Sequence, residues 1–176
     1  MRIVSLLIVG ALVGCSIARV ETRDPAEIPD GPLAAIGVDA TGPIFEIGRG
    51  RTLGVGWRHA MFESAEGWCT QLELSGMAGT NCGDPIPPDG GVFGSIGLGT
   101  ASDGVVAVEG IVAPEVAEAW LVTATGERIA TMVLSIDETG FDGGAFVGIV
   151  PAEVVVTGVV AIDADGVELQ TYDLPR

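Results

Sequence analysis

The sequence predicts an all-β chain folded as an antiparallel β-sandwich, and three observations lead there. Val, Ile, Leu and Ala alternate with polar or small residues over most of the chain, which is the period of a strand with one buried face. The 27 Gly and 10 Pro make the chain turn too often for long helices. Turn signals recur between the apolar runs at the regular spacing expected of a sandwich. At 176 residues the chain has room for one domain with a hydrophobic core and some additional segments.

The first fourteen residues stand apart. Met1 and Arg2 form a short positive region, Ile3 to Val13 an apolar stretch, and small residues follow. A membrane-spanning helix needs about 20 apolar residues, so this stretch is too short to remain as a span and is expected to be cleaved. Leu12-Val13-Gly14-Cys15 resembles the lipobox of bacterial lipoproteins: an apolar residue, a branched one, Gly, then Cys. The resemblance implies cleavage before Cys15 and a diacylglyceryl group on its sulfur. With each buried methylene contributing about 0.8 kcal/mol, two or more acyl chains make a stable anchor. Ser16 follows where Asp would resemble an inner-membrane retention signal. The expected location is therefore the exported side of a cell membrane or outer membrane.

Residues 15–43 carry Pro25, Pro29, Pro32, Pro43 and several acids without sustained periodicity, and they read as a lipidated N-terminus and flexible tether. The sandwich domain is expected over 44–176. Leu53, Val55, Trp57, His59 and Met61 share one face of a strand, opposite Gly54, Gly56, Arg58, Ala60 and Phe62. After a turn at 63–67, Trp68, Thr70, Leu72 and Leu74 line one face of the returning strand of a hairpin. With Cys15 consumed, Cys69 and Cys82 are an even pair in an oxidising compartment and are expected to form one disulfide. Residues 75–91 read as a loop pinned by that bond.

Strands are then expected at 92–100, 105–112, 118–125, 129–136, 145–150, 154–162 and 167–174. The Asp and Gly chemistry of tight turns lies between them, as in Ser102-Asp103-Gly104 and Asp163-Ala164-Asp165-Gly166. From Gly110 to Leu169 the valine-rich strands, the Ala-Asp-Gly turn and the final returning strand resemble the closing half of immunoglobulin-like or fibronectin type III-like modules. The resemblance implies a fold and no functional residues. It departs from true immunoglobulin domains in its cysteines, which are too close in sequence to make their inter-sheet bridge.

Charge narrows the function. Asp and Glu number 24 against 8 basic residues, all of them arginine. Removing residues 1–14 discards Arg2 and no acid, leaving 7 Arg against 24 acids and a formal charge of about −17. Nucleic acid is excluded as a partner, because binding it relies on cations that neutralise phosphates. An anionic membrane surface repels the chain too, so contact with a membrane runs through the lipid anchor.

Candidate sites are few. His59 is the sole histidine and sits on an apolar strand face, which reads as a packed structural residue. Gly94-Ser95-Ile96-Gly97 lacks the first glycine of a nucleophile elbow, since Phe93 holds that position. A chain without lysine has no phosphate-cradling loop that ends in Lys-Ser or Lys-Thr, and no cofactor is expected. Carbohydrate binding needs aromatic platforms, and Trp57, Trp68, Trp120 and Tyr172 are the only large amphipathic aromatics. Calcium is the most promising ligand: Asp163, Asp165 and Glu168 around Gly166, and Asp137, Glu138 and Asp142 around Gly140, gather hard oxygen donors in loops. The first group is equally explained as a hairpin turn. The expectation is a non-enzymatic exported lipoprotein that binds a protein partner or serves the cell envelope. The alternative is a small calcium- or carbohydrate-binding module on the same anchor.

Overall fold

The computed structural model describes residues 16–19, 34–74, 77–83, 90–100, 104–135 and 140–175. Strands dominate the described residues, and every pairing between them is antiparallel. The first sheet joins β1 (Ser16–Arg19), β2 (Phe45–Thr52), β3 (Val55–Ser64), β4 (Gly67–Leu74) and β5 (Met77–Gly83) in the order β1-β5-β4-β3-β2. The second contains β6 (Phe93–Thr100), β7 (Val105–Val112), β10 (Met132–Ser135) and β11 (Gly144–Pro151), ordered β10-β11-β7-β6. The third contains β8 (Glu118–Thr123), β9 (Arg128–Ala130), β12 (Val156–Ile162) and β13 (Glu168–Asp173), ordered β13-β12-β8-β9.

Period-2 alternation explains how these sheets stack. On β7 and β11, Val108, Val112, Phe146 and Val150 face the third sheet and pack with Leu121, Val159 and Ala161. The intervening Val105, Ala107, Val147 and Ile149 face the first sheet and pack with Val55, Trp57, Leu72 and Leu74. The second sheet is therefore the shared middle layer, buried on both faces. That is why Val105–Val112 reads as a nearly unbroken apolar run where a half-solvated strand would alternate. With strands lettered from β6 as A, the second and third sheets are DEBA and GFCC′, the strand order of an immunoglobulin-like sandwich. The expected strand at 129–136 is divided at Thr131, whose backbone N–H and hydroxyl both donate to Ala119 O, and the chain there passes from the third sheet to the second.

One expectation needs correction. Residues 75–91 contain a strand, β5, which carries Cys82 and pairs along β4 from Leu74↔Met77 to Trp68↔Gly83. Its composition hides it: Gly79, Asn81 and Gly83 replace the large side chains that mark alternation. Of the segment expected as a tether, 15–43, the described residues are 16–19 and 34–43. Ser16–Arg19 pairs with β5, while residues 34–41 lie over the outer face of the first sheet. There Ile36 N–H donates to Gln71 Oε1 (2.9 Å), Gln71 Nε2 to Ala34 O (3.1 Å) and Thr80 Oγ1 to Ile36 O (2.8 Å). Thr41 N–H completes the strap on Glu63 O. An extended segment needs no periodicity when side chains of another element satisfy its backbone.

The β2–β3 turn holds a local conflict. Leu53 and Gly54 have φ of 53° and 79°, the paired positive values of a two-residue type I′ hairpin. Gly54 adopts this freely, whereas a leucine in the left-handed region costs about 1–2 kcal/mol. Its side chain recovers little by packing, being 55% exposed. Leu53→Asn is expected to stabilise the protein by about 1 kcal/mol, read as a rise in the thermal midpoint. An unchanged or lower midpoint would show that Leu53 is held by contacts outweighing its backbone cost.

Candidate functional site

Between the first and second sheets lies a buried polar cluster. Glu109 is the one charged residue of β7, and the alternation that sends Ala107 and Ile111 toward the first sheet sends its carboxylate there too. It meets His59 from β3, with Nε2 and Oε2 3.3 Å apart, and accepts a short hydrogen bond from the Thr70 hydroxyl of β4. His59 and Thr70 are fully buried and Glu109 is 6% exposed. Next to them Asn81 is oriented so that its Oδ1 accepts from Ile96 N–H (3.2 Å), Gly97 N–H (3.1 Å) and the Ser95 hydroxyl (3.0 Å) of β6. The cluster thus joins the two sheets through β3, β4 and β5 on one side and β6 and β7 on the other. His59 and Ser95 each have other partners, so no nucleophile-base pair is formed between them. Ser95 stands within a strand rather than at a strand-to-helix turn.

His59 is packed as its apolar face implied, but Glu109 was missed. A lone carboxylate inside the run Val-Val-Ala-Val-Glu-Gly-Ile-Val was the available signal, because an unpaired buried Glu is rare. Cys69 and Cys82 form the expected disulfide, joining residues directly opposite on β4 and β5 with Cα atoms 4.0 Å apart. Cys15 lies outside the described residues.

The residues of the calcium expectation, Asp163, Asp165 and Glu168, fall in and just after the β12–β13 hairpin turn. Asp163 Oδ1 accepts from the backbone N–H of Asp165 (2.9 Å) and Val167 (2.8 Å), which spends it on closing the hairpin. Glu168 turns instead to Arg128, at 2.8 Å, and accepts from the Thr171 hydroxyl. Among the described residues no three His, Cys, Asp or Glu side chains converge as a metal site. In the second acidic group, Asp137 and Glu138 lie outside the described residues, while Asp142 lines a cavity of about 330 Å³ with Pro114, Val116, Leu134 and Phe141. Trp57 is in the core, Trp68 stands edge-on to Phe141 at 5.1 Å, and Trp120 donates to Glu118.

Glu168 titrates below the usual glutamate range because Arg128, and then Thr171, donate to its carboxylate. A depressed folded value means that this stabilisation is present above the unfolded value and lost as pH falls through the folded one. The group is exposed, so the contribution is small and screened by salt. Side-chain NMR is expected to place its midpoint below that of an ordinary glutamate, and Arg128→Gln to move it up. Equal midpoints in the two proteins would refute the assignment to Arg128.

Compared with protein-family models, with curated proteins and with solved structures, the chain matches none. Its functional reading therefore rests on its own surface.

One feature of that surface is a sheet edge. Among the described residues β13 pairs only with β12, ends the third sheet, and exposes Tyr172 (41%) and Leu169 (38%), with Val167 exposed just before it. Of the other edge strands among the described residues, β2 and β6 are longer and β1, β9 and β10 shorter. β9 and β10 have three and four residues, Leu134 of β10 lies against Gly48 of β2, and Gly83 of β5 abuts the backbone of β6 at Gly94.

Proposed function

We propose that this chain is the precursor of an exported lipoprotein, cut before Cys15, lipidated on that sulfur, and displaying an immunoglobulin-like sandwich that binds another protein. The anchor reading rests on Leu12-Val13-Gly14-Cys15 and the short apolar stretch before it. The interaction reading is carried by the sheet edge at β13 with its exposed Val167, Leu169 and Tyr172. A role that does not involve catalysis is supported by the burial of His59, which is sealed between two sheets and engaged with Glu109. The acidic surface keeps the protein off anionic headgroups, so the acyl chains hold it at the membrane.

Expression of the full chain in a bacterium, followed by detergent-phase partitioning and intact mass, tests the anchor. The expected product begins at Cys15, carries the mass of a diacylglyceryl group and enters the detergent phase, whereas Cys15→Ser stays in the aqueous phase. A cleaved product with an unmodified Cys15 would overturn the lipoprotein reading.

A further inference from the structure

We infer that His59 is a proton-operated latch between the first and second sheets: its neutral ring holds the two layers closed, and a second proton on the ring releases them. The imidazole is fully buried, and Nε2 lies 3.3 Å from Glu109 Oε2. An ionised carboxylate only accepts, so the ring proton facing it sits on Nε2. Nδ1, on the other side of the ring, is buried with no hydrogen-bond partner among the described residues. In the neutral ring that atom is a lone pair without a donor. In the charged ring it is an N–H without an acceptor, which is the rarer and costlier fault in a protein interior. A protonated Glu109 donating to Nε2 would move the ring proton to Nδ1 and create the same fault. The separation agrees with the neutral form, since a charge-assisted N–H to carboxylate bond runs at about 2.7–2.9 Å, and the short bond to Oε2 comes from the Thr70 hydroxyl instead.

Among the described residues, Glu109 is the titratable group that faces the ring. β2 and β4 place Gly48 and Leu72 opposite His59, and β7 adds Ala107 and Ile111 on either side of Glu109. Asn81 of β5 and Ser95 of β6 complete the cluster and carry no charge. Glu63 shares the strand face of His59 but lies beyond Met61 and is exposed. The pairs Arg58–Glu73 and Arg49–Glu46 belong to the opposite, outer face of the first sheet. A proton arriving on Nδ1 therefore meets no acceptor, even though Glu109 offsets the charge through Nε2. Around this cluster Val105, Ala107, Val147 and Ile149 pack with Val55, Trp57, Leu72 and Leu74. Its failure loosens the five-stranded layer from the middle sheet and spares the immunoglobulin-like sandwich, whose core lies on the other face of β7 and β11.

His59 is the sole histidine, so its ring gives the one imidazole signal when the full chain is labelled with nitrogen-15 histidine. At about pH 8 the expected ring is neutral and protonated on Nε2. A proton on Nδ1 at that pH, alone or together with Nε2, overturns the proposal. As pH falls toward about 5, the ring is expected to take up a proton on Nδ1. In step with it, β3 and β4 are expected to lose amide protection by about tenfold or more while β8 and β12 keep theirs. A ring that charges while β3 and β4 stay protected overturns the latch, as does a ring that stays neutral throughout or protection that is lost uniformly. His59→Gln keeps an amide donor for Glu109 and cannot be charged, so it is expected to lose the pH response of β3 and β4. A response that survives this substitution overturns the proposal, and the ring signal of the unsubstituted chain decides it even if the variant does not fold.

Discussion

Glu109→Ala is expected to cost about 3–5 kcal/mol, the loss typical when one member of a buried polar or charged pair is removed. The carboxylate holds His59 of β3 and Thr70 of β4 against β7, so its deletion takes the partner from a buried imidazole, leaves the Thr70 hydroxyl only its longer bond to Asn81 O (3.4 Å), and opens a cavity as well. Glu109→Gln retains the shape and an acceptor for Thr70 and is expected to cost less, about 1–3 kcal/mol. Urea denaturation separates the two variants by their midpoints. Because the cluster sits where the five-stranded layer meets the immunoglobulin-like unit, the alanine variant is also expected to show faster amide exchange in β3 and β4 than in β8 and β12. A loss under about 1 kcal/mol, with uniform exchange, would mean that apolar packing by Trp57, Leu72 and Leu74 alone holds the layers together.

The legibility of this chain follows the physical signals its residues carry. Val55 to Met61 alternates cleanly because one face of β3 packs on the middle sheet, and the opposite face showed its difference through Arg58. Arg58 is nevertheless buried, held at 2.6 Å by Glu73 beside the strap of residues 34–41. No pattern in the sequence announces that cover, since it is made by Gln71 and Thr80 binding backbone atoms some 35 to 44 residues away. The sandwich strands from Phe93 onward were visible because their turns carry Asp and Gly, and the Asp163 hairpin performs the hydrogen bonding that its composition implied. What could not be read was the number of layers. An apolar run such as Val105–Val112 states that both faces are buried without saying by what, and β5, built of small and polar residues, gave no sign of the strand that completes the five-stranded layer. Sites fared likewise: cysteine arithmetic found the bridge, whereas counting loop carboxylates did not show that Asp163 closes its own turn or that Glu168 pairs with Arg128.

Loss of the Cys69–Cys82 bridge is expected to cost about 3 kcal/mol, the chain-entropy value for two residues 13 apart in sequence. The two cysteines face each other on adjacent strands of the first sheet, with Cys69 buried at the outer face near Phe62, so the bond closes the β4–β5 hairpin at the end opposite its turn. Without it the unfolded chain regains the freedom of that loop, while the folded sheet keeps its ladder and its burial. For a chain of this length the loss corresponds to a fall of roughly 6–12 °C in thermal midpoint. The Cys69→Ala/Cys82→Ala protein and the reduced wild-type protein are both to be measured, the second because it removes the bond without opening a cavity. If constraint of the unfolded chain is the source, the two should fall together, with amide exchange rising most in β4 and β5 and least in β7 and β11. A fall in the double alanine variant alone would assign the effect to packing around Phe62 and Ala60 rather than to the cross-link.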